Sequence, residues 1–220
     1  MKILAIDTST EACSASIMID DDVIDRYEYA PRRHTELILP MVNDLLSSAQ
    51  IELTDLDAIA YGRGPGSFTG VRIAASVTQG LAFAADLPVI PISTLAALAQ
   101  AVVSPEKHIV SAIDARMGEI YWCAYSISNN ELTQLGEELV TTPENISVSF
   151  SGTCYGTGSG WQSYSEILSN KLKDQVVDYE GETYPHAKHI ATLARKEFKL
   201  GHTVPVDQAL PVYLRNNVTQ

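Results

Sequence analysis

Three clusters in this chain have residue types and spacings suited to chemistry. The densest lies within YGRGPGSFTGVRIAASVTQGLAF, residues 61–83, where Gly62, Gly64, Gly66 and Gly70 surround Pro65. Glycines at that density let a backbone take left-handed conformations and lie close against another backbone or a ligand. Ser67 or Thr69 can cap the helix that follows, so that its free amides and positive dipole end face whatever the turn approaches. Gly64, Gly66 and Ser67 therefore form either a cradle for an anion or phosphate, or a tight strand-to-helix turn whose glycines only permit close packing. The second cluster, Asp7-Thr8-Ser9-Thr10, ends an apolar run. A carboxylate with hydroxyls beside it can orient a metal–phosphate group or a water, and it can equally satisfy its own turn; the residues alone favour the turn. The third, Asp114-Ala115-Arg116-Met117-Gly118-Glu119, is either a functional set built on Asp114, Arg116 and Glu119 or a hairpin whose charges neutralise one another.

Metal and nucleophile chemistry finds little support. Of the five histidines, only His186 and His189 stand close together, at the start of a late helix and without the glutamate of an HExxH arrangement. They read as a surface pair, and His34 reads as a helix-entry residue. Cys13, Cys123 and Cys154 are far apart with no CxxC pair, so they read as reduced packing residues. No catalytic residue and no metal ligand is expected.

The elements that must position these clusters follow an order that repeats. Strands are expected at 2–7, 14–19 and 23–29, then a helix at 35–49, a strand at 56–61, the helix 69–85, a strand at 87–92 and a short helix at 95–102. Beyond a boundary near Ser104-Pro105 three strands come again, at 108–112, 119–126 and 131–140. A short helix from Thr142, a strand at 150–155, the turn Gly156–Gly160, and helices at 162–168 and 187–200 complete the chain. Two units, 1–104 and 105–220, each opening with three strands, describe a duplicated α/β fold. In such sheets ligands bind beyond the carboxyl ends of the strands, where Asp7, the 62–70 turn, Asp114 and the 156–160 turn would fall.

Two helices carry more contact surface than one lobe needs. On helix 35–49, Leu37, Ile38, Leu39, Met41, Val42 and Leu45, with Leu46 and Ala49, cover roughly 200° of the circumference, against the stripe of about 100° that one core requires. On helix 69–85, Arg72, Ser76, Gln79 and Phe83 share a stripe that reads as a specific wet contact or as an ordinary solvated face.

At 220 residues with 45% apolar content the chain can bury a substantial core. Its formal net charge of −12 excludes self-directed binding to a nucleic-acid backbone, so a polynucleotide would have to be presented by another subunit. The opening apolar run is cut by Asp7 and no later run approaches a membrane span, which reads as a soluble cytoplasmic protein.

The element order resembles the actin-like ATPase (ribonuclease H-like) superfold of actin and the sugar kinases. MKILAIDTST, YGRGPGSFTGVRIAASVTQGLA, ISTLAALAQ, AIDARMGEIYW and PVYLRNN resemble, more closely and across nearly the whole chain, the bacterial TsaB (YeaZ) family. The resemblance implies a small partner of TsaD which, with the ATPase TsaE, installs the threonylcarbamoyl group on adenosine 37 of tRNA. TsaD holds a metal through a histidine pair on a helix; RRHTELILP here has His34 alone, which implies a non-catalytic scaffold. Such a scaffold would pair with TsaD, or with itself in isolation, through His34, Leu37, Ile38, Leu39, Met41, Val42 and Leu45 on one helix and Arg72, Ser76, Gln79 and Phe83 on the other. Asp7, Thr8, Ser9, Gly64, Gly66 and Ser67 would then be an inherited phosphate site that no longer holds nucleotide independently, leaving ATP or ADP to the assembled complex. tRNA would be met only through that complex, and no membrane is involved. The alternatives are a glycoprotease-like metallopeptidase and an ATP-dependent small-molecule kinase.

Overall fold

The computed structural model describes residues 1–102, 107–129 and 131–215. Strand β1 (Lys2–Asp7) is apolar on both sides, as a strand covered above and below must be. It pairs antiparallel with β2 (Ala12–Ile19), which pairs antiparallel with β3 (Asp22–Tyr29). Helix α1 (His34–Ala49) then leads to β4 (Ala58–Gly64), parallel to β1, and α2 (Phe68–Ala85) leads to β5 (Val89–Ser93), parallel to β4. The resulting sheet has the order β3-β2-β1-β4-β5.

After α3 (Thr94–Ala101) the same plan recurs. Strands β6 (His108–Arg116), β7 (Glu119–Ser128) and β8 (Glu131–Thr141) are antiparallel neighbours, while β9 (Cys154–Thr157) lies parallel to β6. Helix α4 (Ser159–Leu172) leads to β10 (Val176–Glu180), parallel to β9, and α5 (Ala187–Lys199) follows. Among the described residues this gives a second five-stranded sheet, β8-β7-β6-β9-β10. Numbered within its own unit, each sheet runs third, second, first, fourth, fifth, with the same parallel and antiparallel pairings. The duplication expected from element order is thus present strand for strand.

The compact units differ from the lobes read off the sequence. The expected boundary at Ser104-Pro105 lies outside the described residues, whereas the chain divides within α3, and residues 185–212 belong to the first unit. The reason is an uncovered sheet face. Leu4, Ile6, Ile17, Ile59 and Tyr61 point to the side packed by α1 and α2. Ile3, Ala5, Ala60, Ile90 and Ile92 point to the other side and are covered by Ala187, Ile190, Ala191 and Ala194 of α5. Strand alternation makes both faces apolar, so a helix from the far end of the sequence closes the second one. In the second unit Val110, Ala112, Trp122 and Cys154 pack with Trp161, Leu168 and Leu172 of α4.

Helix α1 also corrects part of the expected contact face. Ile38, Val42 and Leu45 are core residues on the first sheet, and His34 is buried at the first turn, so none of the four is presented to a partner. Leu37, Met41 and Leu46 are half-buried against the same core. Of the α1 residues expected on that face, only Leu39 is a strongly exposed large apolar residue, at 45%. Leu45→Ala is accordingly expected to cost about 2–5 kcal/mol of stability. Leu39→Ala should stay within about 0.5 kcal/mol, a contrast that denaturant unfolding of the two variants measures.

Candidate functional site

The residues expected at the end of β1 and in the glycine turn do meet, and they turn their polar groups on one another. Asp7, Thr8 and Ser9 are fully buried. Ser9 donates to the Asp7 carboxylate from its backbone N–H (3.1 Å) and from its hydroxyl (2.9 Å to Oδ1, 3.1 Å to Oδ2). The Thr8 hydroxyl donates to the Gly70 carbonyl at 2.7 Å, and the Ser67 N–H donates to the Ser9 carbonyl at 2.7 Å. Ser67, rather than Thr69, caps α2: its Oγ accepts from the Gly70 N–H at 3.1 Å. Thr94 donates its hydroxyl to the Pro65 carbonyl, and the Gly64–Pro65 peptide is cis.

This packing explains two of the glycines. A Cβ at Gly66 would strike the Ser9 backbone, and one at Gly70 would strike the Thr8 carbonyl. The close approach that a phosphate would need is made here by residues 8 and 9 of the same unit. Of the amides at the start of α2, that of Ser67 is taken by the Ser9 carbonyl and that of Gly70 by the Ser67 hydroxyl.

Asp7 is the most perturbed group in this cluster. Burial raises its carboxyl from the ordinary 3.8 to about 7, with the Ser9 backbone and hydroxyl donors opposing the rise. A carboxyl that gains and loses a proton near neutrality has the poise of a general acid or base, but it is sealed behind the chain's own turn.

The charged turn of the second unit is organised by a residue outside it. Asp114 accepts from the Arg116 N–H (2.8 Å) and guanidinium (3.2 Å) and from the Ser163 hydroxyl (3.2 Å), while its own N–H donates to Ser159 Oγ at 3.1 Å. Arg116 and Met117 both have left-handed backbone, φ 61° and 57°, a conformation that costs side-chain-bearing residues energy unless neighbours hold it. Arg215 supplies that hold. Its guanidinium pairs with Glu119 and donates to the carbonyls of Ala115 (3.2 Å) and Arg116 (3.4 Å). Met117 is left at the tip, 86% exposed. The turn is therefore charge-satisfied and held in its left-handed conformation; its expected set of Asp114, Arg116 and Glu119 is completed by Arg215.

The third feature is the outward side of α1 and α2 in the first unit. Phe83 is 81% exposed and Phe68 52%, and the Arg72 guanidinium lies 3.2 Å above the Phe68 ring. Thr35, Phe68, Arg72, Ile73, Ser76 and Val77 line a hollow of about 330 Å³ there. Gln79, expected on the same stripe, instead donates to the Ala209 carbonyl at 3.1 Å and fastens the C-terminal segment to α2. Among the described residues no three His, Cys, Asp or Glu side chains converge, and no helix is long and apolar enough to cross a membrane.

A family profile described as "TsaD: tRNA N6-adenosine threonylcarbamoyltransferase" matches residues 27–220. The chain is 44% identical to "tRNA threonylcarbamoyladenosine biosynthesis protein TsaB" of Escherichia coli (strain K12), over 99% of this chain and 96% of that protein. It is 39% identical to the protein of the same name from Haemophilus influenzae, over 100% and 95%. The solved structure "YeaZ from Pseudomonas aeruginosa" superposes with a TM-score of 0.90 at 43% identity, over 97% of this chain and 99% of that one. The chain belongs to the TsaB (YeaZ) family.

As a TsaB-family chain it has the duplicated, two-lobed actin-like α/β fold expected of it. What motif reading missed in this TsaB-family sequence are the long-range partners. Arg215 sits in the quoted PVYLRNN stretch, yet nothing local says that its guanidinium reaches the 114–119 turn. Nor are His186 and His189 a surface pair. His186 stacks on Tyr27 of β3 at 4.8 Å, and burial lowers His189 to about 4.

Asp7 yields a pH-dependent prediction. Its folded value lies above the unfolded one, so its contribution is fully present below pH 3.8 and is lost as pH rises to about 7. Asp7→Asn keeps an acceptor for Ser9 and cannot ionise. Its stability relative to the parent should therefore rise from pH 4 to pH 8, by up to about 4 kcal/mol, the free-energy equivalent of that displacement. Thermal unfolding of both proteins across that range measures it; a difference that does not vary with pH would contradict the buried, protonated carboxyl.

Proposed function

We propose that this chain is a non-catalytic subunit in the synthesis of N6-threonylcarbamoyladenosine on tRNA. It acts by pairing a TsaD-type catalytic subunit against the outward side of α1 and α2, with TsaE as the ATPase partner. The names of its relatives support the pathway. The observation that carries the pairing is the exposed apolar flank itself. Phe68 and Arg72 line a hollow on the outward side of α2, and Leu39 and Phe83 stand exposed on the same two helices, on a face that the first sheet does not bury. Aromatic and arginine anchors around a recess are the composition of an interface centre, and contiguous exposed apolar surface marks a partner site.

The match of the TsaD profile to residues 27–220 supports a particular geometry. A partner of the same fold carries corresponding helices, so the two can meet about a pseudo-two-fold axis, and two copies of this chain can meet about a true one when TsaD is absent. ATP or ADP then belongs to the assembled complex, and tRNA is reached through it. The buried Asp7–Ser9 turn, which takes the Ser67 amide and fills the approach to Gly66 and Gly70, supports a subunit that holds no nucleotide on its own.

The test is substitution confined to the exposed flank. Leu39→Asp with Phe83→Asp should leave the unfolding temperature within a few degrees of the parent. It should also abolish co-elution with TsaD and lower threonylcarbamoylation by reconstituted TsaD, TsaE and this chain at least tenfold. Unchanged co-elution, or product formed by this chain in the absence of TsaD, would overturn the proposal.

A further inference from the structure

Residue 186 caps α5 in an unusual way. Helices are ordinarily capped by Ser, Thr, Asp or Asn, whose oxygens accept at every physiological pH. Here the acceptor is an imidazole nitrogen: Nδ1 of His186 receives the Lys188 N–H at 3.2 Å. An N–H can be accepted only by an unprotonated nitrogen, so Nδ1 is bare and the ring's proton sits on Nε2, which faces Asp25 Oδ2 at 3.2 Å. Both nitrogens are thus satisfied by one neutral tautomer. The adjacent Ala187 N–H donates to the buried Ser14 hydroxyl of β2 at 2.9 Å, so the capped turn is also the point where α5 is fastened to the first sheet.

We propose that His186 is a titratable cap: neutral, it closes the first turn of α5 onto β2 and β3, and protonated, it releases that turn. Adding a proton to Nδ1 sets an N–H against the Lys188 N–H and removes the cap acceptor. It also places a cation at the positive end of the helix dipole, which is unfavourable.

The charged and titratable groups facing the ring do not cancel this. From β3, Asp25 favours the cation, and Tyr27 stacks on the ring at 4.8 Å and 16°. From α5 itself Lys188 disfavours it, while His189, edge-on at 6.0 Å, is held at about 4 by burial and stays neutral over the same range. Burial is the largest influence, and it holds His186 below its ordinary 6.5. A histidine lowered in the fold contributes stability above its unfolded value and loses it as pH falls through the folded one, so the turn opens on the acid side of 6.5.

Amide hydrogen exchange of the whole chain, corrected for intrinsic rates, tests this. Protection at Lys188 should fall about tenfold between pH 7.5 and pH 5. His186→Asn keeps a neutral acceptor, and in that variant the protection should be flat over the same range. In the parent protein the imidazole nitrogen shifts of His186 at pH 7.5 should show Nδ1 bare and Nε2 protonated. The proposal is overturned by constant protection at Lys188 in the parent, by an equal acid loss in the Asn variant, which would assign the effect to His189 or Asp25, or by a proton found on Nδ1 at pH 7.5.

Discussion

A five-stranded sheet with apolar residues on both faces must be covered twice, and that requirement organises the first unit. Alternation along β1 sends Leu4 and Ile6 one way and Ile3 and Ala5 the other, all fully buried. Helices α1 and α2 cover the first face and α5 covers the second. Two helices lying side by side on a sheet can each commit one side to it and part of a flank to each other; what remains faces out. In most globular proteins that outward side is polar. Here it carries Leu39, Phe68 and Phe83, and the function proposed for the chain rests on this surplus.

The glycine turn carries the same logic inward. The sequence at 62–70 has the elements of a phosphate cradle, and its glycines do serve a close approach. The approaching group is the 7–10 turn, with Ser67 capping α2 and Ser9 taking the Ser67 amide. Burial of Asp7 in that junction raises its carboxyl to about 7. Such a closed strand-to-helix junction fixes where α2 starts and hence where Phe68 and Arg72 stand.

Much of this was legible in the sequence. Strand alternation and the recurrence of three strands before the helices revealed the duplicated α/β plan, and the Ser67 cap and Asp114 turn lay where their local chemistry placed them. The misses share a cause, which is that they depend on residues distant in the chain. The apolar width of α1 suggested a broad partner face, but Ile38, Val42 and Leu45 serve the sheet, and Leu37, Met41 and Leu46 pack beside them. Strand β10 lacks an alternating pattern because it is an edge strand with mostly exposed residues, so its periodicity carried no signal. The allegiance of α5 to the first sheet, and of Arg215 to the 114–119 turn, could not be read locally, since each is set by which surface is left uncovered after the rest has folded.

The claim that the outward flank of α1 and α2 is where this chain meets its partner is tested most directly by hydroxyl-radical footprinting with and without TsaD. Oxidation of Phe68 and Phe83 is predicted to fall sharply on mixing, while Met117, more exposed than either in the free chain, stays reactive as an internal reference. Undiminished oxidation of both phenylalanines in a mixture that is demonstrably complexed, or protection confined to Met117, would contradict the account.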